Sequence, residues 1–268
     1  MQPADTRILL TGASGGIGQA LVEGLCAEGA KLLLAGRQAD ALSALSRRFP
    51  GQVAVVQADL RTHEGRDAVE AAVRRLGGVN CLVNAAGVNQ FALLERQDED
   101  AIADLLAMNV TATMQLTRRM LPWLRQAQSA LVVNVGSTFG SIGYPGFTAY
   151  CASKFAIRGF SEALRRELAD SRIKVLYVAP RATRTSMNAA PVVAMNDELN
   201  VAMDPPREVA AQIIGAIRRE REELYLGWPE KLFVKLNGLW PRIVDQALRK
   251  QLPTIQRFAR HDLPKESA

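Results

Sequence analysis

The residues Thr11–Gly18, TGASGGIG, stand between an apolar run, TRILL (6–10), and a segment with Ile17, Leu21 and Leu25 at helical spacing. Glycines that end a strand and open a helix let the backbone turn tightly and approach a ligand closely. The free N–H groups at the helix start then favour negative charge. Gly12, Gly16 and Gly18 are spaced Gly-x-x-x-Gly-x-Gly, which differs from the common G-x-G-x-x-G fingerprint. After the first strand of a chain in which strands and helices alternate, this loop points to the pyrophosphate of a dinucleotide and away from a mere turn.

The alternation extends outward from that loop. KLLLAG (31–36) is strand-like, and ADALSALSRRFPG (39–51) is helix-like until Pro50 and Gly51 stop it. QVAVVQAD (52–59), HEGRDAVEAAVRRLGG (63–78) and NCLVNAAG (80–87) repeat the pattern. A helical stretch from about Asp98 to Leu124 leads to ALVVNVGS (130–137), and a helix over Tyr150 to Ala169 leads to IKVLYVAP (173–180). Strands that are apolar throughout and separated by helices are buried on both faces. The expected fold is therefore α/β: a Rossmann-like, doubly wound parallel sheet of about seven strands, the last at ELYLG (223–227), with helices on both faces. One dinucleotide-binding and catalytic domain is expected over 1–227, followed by a helical C-terminal extension over 228–268.

Composition narrows the function classes. A chain of 268 residues, 48% hydrophobic and 22% charged, suits one large α/β domain. It has no apolar run of the roughly 18 residues that a spanning helix needs, and the N-terminus enters structure directly, so a cytoplasmic protein without a secretory signal is expected. Three cysteines, Cys26, Cys81 and Cys151, lack metal-ligand spacing and are odd in number, so reduced thiols and no metal are expected. Cys151 reads as a small buried thiol. The net charge of +6 permits phosphates, nucleic acid or anionic membranes as partners. No nucleic-acid motif or aromatic stacking platform accompanies it, and no nucleic-acid partner is expected.

Two further features bear on chemistry. In TAYCASKFA (148–156), Tyr150 and Lys154 are four apart, so on a helix their side chains share a face roughly 5–6 Å apart. A nearby ammonium is expected to lower the phenol pKa by favouring phenolate. The second strand ends in Gly36 and Arg37, where an acid would accept the ribose 2′-hydroxyl of NAD; an arginine suits a 2′-phosphate, so NADP(H) is expected ahead of NAD(H). Asp59, followed by Leu60 after the third strand, reads either as an acceptor for the adenine amine or as a helix cap.

With these motifs in order, the chain resembles the short-chain dehydrogenases/reductases over roughly Thr6 to Gly227. TGASGGIG matches that family's cofactor loop, including Ser14 and Ile17. Asn84, Ala85 and Gly87 belong to its NAAG motif, and Tyr150-Cys-Ala-Ser-Lys154 matches its catalytic Tyr-x-x-x-Lys. Ser137 stands thirteen residues before Tyr150, as that family requires, and Asn109 matches its helix asparagine. The resemblance implies that Tyr150 exchanges the proton and Ser137 holds the substrate oxygen. It also implies that Lys154 bonds the nicotinamide ribose and Asn109 positions a relay water. A homodimer or homotetramer built from the helices of Asn109 and Tyr150 is implied too.

The chain also departs from the family. Pro180 is followed by Arg181 where Pro-Gly is common, while Thr185 keeps the position that often bonds the carboxamide. The irregular stretch 181–206 reads as a substrate lid. In the extension, Leu232, Phe233, Leu236, Leu239, Trp240, Ile243, Val244 and Leu248 are interleaved with Lys231, Lys235, Arg242, Arg249 and Lys250. Its apolar face could pack on the domain or on a partner subunit. Alternatively, 228–260 forms a basic amphipathic helix pair, broken at Pro241, that touches a membrane or gathers a lipid-like substrate. The expected activity is carbonyl–alcohol interconversion on a small, hydrophobic or acyl-chain substrate. The competing reading is a catalytically silent NADP(H)-sensing or scaffold protein.

Overall fold

Strands apolar on both faces need cover on both, and a computed structural model, which describes residues 1–260, shows that arrangement. The strands are β1 (Arg7–Thr11), β2 (Lys31–Gly36), β3 (Val53–Gln57), β4 (Cys81–Asn84), β5 (Ala130–Val135), β6 (Ile173–Ala179) and β7 (Glu223–Tyr225). They form one parallel sheet in the order β3-β2-β1-β4-β5-β6-β7. The order reverses between β1 and β4, and a crevice opens there beyond the strands' carboxyl ends.

Side chains leave each strand alternately. Ile8 and Leu10 of β1 and Leu131 and Val133 of β5 pack under α1 (Gly16–Ala27), α2 (Ala39–Arg48) and α8 (Pro206–Arg218). Leu9, Leu33, Val132 and Val175 pack under α3 (His63–Arg75), α5 (Ala112–Arg125) and α6 (Thr148–Glu167). Each fully buried leucine contributes about 2 kcal/mol.

Two elements differ from the sequence reading, and the extension follows it. The helix expected from Asp98 to Leu124 is divided into α4 (Glu99–Leu106) and α5 by a π-turn, Ala107–Thr111, which carries Asn109. The stretch 181–206 contains a helix, α7 (Ala190–Glu198), that buries Val192, Met195 and Asn196. The extension forms α9 (Glu230–Leu239) and α10 (Pro241–Ala259); Pro241 opens α10, where its fixed φ and missing N–H cost nothing. Residues 261–268 of the expected extension lie outside the described residues.

A buried polar chain fixes α5 and α6 to the sheet. Asn84 donates to Asn134 Oδ1 at 2.9 Å and to Thr117 Oγ1 at 3.0 Å. Asn134 donates to Ser161 Oγ at 2.9 Å. Both hydroxyls donate onward to their own helix carbonyls at 2.7 Å. Truncating Asn134 would strip partners from Asn84 and Ser161, and an unsatisfied buried polar group costs about 1–3 kcal/mol. Asn134→Ala is therefore expected to lower unfolding free energy by roughly 2–3 kcal/mol in urea. A change under about 0.5 kcal/mol would show that the chain carries no stability.

Candidate active site

Gly12 ends β1 with φ +73°, and a Cβ there would lie 2.6 Å from the backbone of Ala85 and Ala86. A Cβ at Gly18 would lie 2.1 Å from Gly12 O. Only glycine lets β1, the loop after β4 and α1 meet this closely. Thr11 Oγ1 holds the contact by accepting from the N–H groups of Ala85 and Ala86, both at 3.1 Å. Helix α1 begins at Gly16 with Gly15 as its N-cap and no side-chain cap, so its first N–H groups remain for a ligand in the crevice. This uncapped cradle at the switch point fits the pyrophosphate of a dinucleotide.

Helix α6 carries Tyr150 and Lys154 to the same crevice. Lys154 is 6% exposed, and its Nζ donates to Val135 O at 3.1 Å and sits 5.5 Å from the centroid of the Tyr150 ring. Burial pushes the Tyr150 phenol up to about 12, against a smaller lowering by the Ser137 hydroxyl beside it. Burial likewise pushes the Lys154 ammonium down to about 8. The expectation that Lys154 lowers the Tyr150 pKa is thus corrected for this structure: the ammonium lies over the ring face and desolvation dominates. Ser137 Oγ accepts from Phe139 N at 3.1 Å, which leaves its own proton free to donate.

One cavity of about 800 Å³ brings together Gly12, Ser14, Gly16, Ile17 and Gly18 with Ala85 and Gly87 from the loop after β4. Ser137, Tyr150 and Lys154 form its inner wall, with Pro180 and Thr185 beside them. Asn109 is 2% exposed: its Oδ1 accepts from Val88 N at 2.8 Å and its Nδ2 donates to Val88 O at 2.9 Å and Ser153 Oγ at 3.0 Å. It clamps the loop at Val88, just after Gly87. Asn84 faces the polar chain inside the fold, so its amide is spent on Asn134 and Thr117 and does not reach the cavity.

Asp59 accepts from Arg61, whose side-chain hydrogen bonds hold its carboxyl below its usual range. Leu60 is buried at 5% exposure. Arg37 is exposed at the end of β2, next to Gln38 of the cavity wall, and makes no ion pair among the described residues. Arg181 also lines the cavity and is bound on three sides. It donates to Asp204 Oδ1 at 2.6 Å and Oδ2 at 3.0 Å, to Glu230 Oε2 at 3.1 Å and to Trp228 O at 3.2 Å.

Sequence reasoning missed several supports. Ser153, fully buried, accepts from Asn109 and donates to Tyr150 O at 2.7 Å. Tyr177 donates to Ser137 O at 3.2 Å and fills the space where a Cβ of Gly136 would lie 2.3 Å from its ring. A threonine before Gly12 and a tyrosine in an otherwise aliphatic strand were the available signals.

Much of the remaining lining is apolar or aromatic. Phe139 and Phe147 flank Tyr150 with ring centroids at 6.4 and 6.3 Å. Met195 and Leu199 enter from α7 and its end, Phe233 from α9, and Val244 and Leu248 from α10. Ile255 and Ala259 of α10 are buried against Phe91, Phe147, Val192 and Met195, so the second half of the extension packs on this chain. Among the described residues no helix is long and apolar enough to cross a membrane, and no cluster of side chains could hold a metal ion.

Comparison with known proteins agrees with this geometry. The family model for short chain dehydrogenase matches residues 6–194. The 3-oxoacyl-(acyl-carrier-protein) reductase of Vibrio cholerae is 31% identical over 215 residues, covering 76% of this chain and 86% of that one. A solved short-chain dehydrogenase from Streptomyces avermitilis is 31% identical with a TM-score of 0.78, covering 95% of this chain and 98% of that one, the extension largely included. A short chain dehydrogenase from Burkholderia cenocepacia, solved in complex with NADP, is 25% identical with a TM-score of 0.80 over 92% of this chain and 99% of that one. The glycine cradle, the parallel sheet and the Tyr150–Lys154 pair thus belong together, and the chain is a member of the short-chain dehydrogenase family.

Proposed function

We propose that this protein is an NADP(H)-dependent oxidoreductase that interconverts a carbonyl and an alcohol on a hydrophobic or acyl-chain substrate, with Tyr150 as general acid/base. The observation that carries this reading is one cavity lined both by Ser137, Tyr150 and Lys154 and by many aromatic and aliphatic side chains. The similarity to a 3-oxoacyl-thioester reductase supports an acyl chain as the occupant of that lining. Association into a homodimer or homotetramer through the helices that carry Asn109 and Tyr150 belongs to the same reading. Leu106 and Phe155, 38% and 43% exposed on α4 and α6, support it.

When bound, the cofactor would supply hydride to the carbonyl carbon. The residues of the chain supply the rest. Ser137, its Oγ already accepting from Phe139 N, donates its proton to the substrate oxygen. Tyr150, held protonated at neutral pH by burial, gives its proton to that oxygen in reduction and recovers it in oxidation. Lys154 spends one of its three N–H groups on Val135 O and keeps two for ribose hydroxyls. Arg37, without an ion-pair partner among the described residues, would receive a 2′-phosphate in bidentate fashion.

Kinetics with NADPH and NADH against carbonyls of rising chain length test this directly. NADPH is expected to be preferred, turnover should rise with chain length, and Tyr150→Phe should cut kcat by about 10²–10⁴. Arg37→Asp should lower kcat/KM for NADPH by at least about tenfold and spare NADH. Tyr150→Phe at wild-type rate would refute the assigned acid, and an unchanged preference in Arg37→Asp would refute the phosphate contact.

The pH dependence has a definite sign. The Lys154 ammonium should lose its proton as pH rises through about 8, well below the ordinary 10.5. NMR titration of ¹³C-lysine protein without cofactor, with the signal assigned through Lys154→Arg, should show that midpoint. A midpoint near 10.5 would mean that water reaches Nζ.

A further inference from the structure

Helix α9 has no buried residue, although Leu232, Phe233, Val234, Leu236 and Leu239 make half of it apolar. Thirteen large hydrophobic residues are exposed among the described residues, and six of them lie between Trp228 and Ile243. Trp228 is 71% exposed, Leu239 69%, Trp240 59% and Ile243 53%. Leu239, Trp240 and Ile243 crowd the elbow between α9 and α10, and Leu232 and Phe233 carry exposed apolar surface along α9, where Phe233 also lines the cavity. A patch this concentrated marks an interaction surface.

The surrounding charge indicates the partner. Residues 228–260 carry seven basic side chains and two acidic ones, Glu230 and Asp245, a net charge of +5 in a chain of net +6. Glu230 is already paired with Arg181. Lys231, Lys235 and Arg242 are exposed beside the apolar tip and form no ion pair by contact among the described residues. Two copies meeting through this elbow would bring two basic rims together. An anionic lipid surface offers opposite charge to the basic rim, an apolar interior to Leu239 and Ile243, and a headgroup layer where tryptophan is favoured.

We propose that the α9–α10 elbow docks on an anionic membrane surface, with Leu239, Trp240 and Ile243 entering the interface and Lys231, Lys235 and Arg242 binding lipid headgroups. The helices lie on the membrane and do not span it. Phe233, exposed on α9, also lines the cavity, so the docking surface and the cavity share this helix. This binding is independent of turnover and can be measured on protein whose catalysis is untested.

The test is co-sedimentation of the full chain with phosphatidylcholine vesicles, with and without phosphatidylserine, while tryptophan emission is followed. Binding to the phosphatidylserine vesicles, a blue shift, and weakening as salt is raised are expected. Lys235→Glu with Arg242→Glu should reduce partitioning by roughly tenfold or more. Leu239→Ser with Trp240→Ser should also release the protein, and both pairs are exposed, so unchanged circular dichroism and melting should accompany the loss. Failure to sediment with either vesicle overturns the proposal. So does a concentration-dependent dimer, without vesicle binding, that Leu239→Ser with Trp240→Ser dissolves; that result would assign the patch to a second copy.

Discussion

The hydrogen bond from Asn84 to Asn134, 2.9 Å long and sealed inside the fold, is the constraint on which the rest of the site depends. Through Asn134 it reaches Ser161 on α6, and through Asn84 it reaches Thr117 on α5. A helix packed only by apolar contacts could slide on the sheet by small amounts, because dispersion and hydrophobic burial are not directional. A satisfied buried amide chain allows one register. That register sets where Tyr150 and Lys154, at the start of α6, meet the loop after β5 that holds Ser137.

The crevice is built by a complementary device. There the chain needs absence of side chain, because β1, the loop after β4 and α1 approach until a methyl group would not fit. Threonine at the end of β1 then supplies the polar contact that glycine cannot. Fixed amides in the core and bare backbone at the switch point together leave a cavity that joins Ser137, Tyr150 and Lys154 to a largely apolar lining. Arg181 adds a tie of its own. With a side chain bound to Asp204, Glu230 and Trp228 O, it links the end of β6 to the close of the 181–206 stretch and the start of α9.

Much of this was legible in the sequence, for physical reasons. Parallel strands buried on both faces read as continuous apolar runs, and the glycine loop between the first of them and a helix has few alternative meanings. The spacing of Tyr150 and Lys154 fixes a shared helix face without tertiary information. Helix α7 was not legible, because Ala190–Glu198 lacks a clear apolar period and takes its cover from Ile255 and Phe147, distant in sequence. The inward aim of Asn84 and the π-turn at Asn109 depend on partners 21 to 50 residues away, which spacing alone does not display. The direction of the Tyr150 pKa was not legible, because spacing shows the shared face with Lys154 whereas the burial that raises the phenol belongs to the assembled cavity.

The most direct test of the central claim is label transfer from 4-deuterated NADPH to a long-chain 3-oxoacyl thioester, with the product analysed by mass spectrometry. The account predicts one deuterium at the former carbonyl carbon with the wild-type protein and almost none with Tyr150→Phe. Tight NADPH binding with no label in any carbonyl offered, of long or short chain, would contradict it and favour a protein that holds the cofactor without using it.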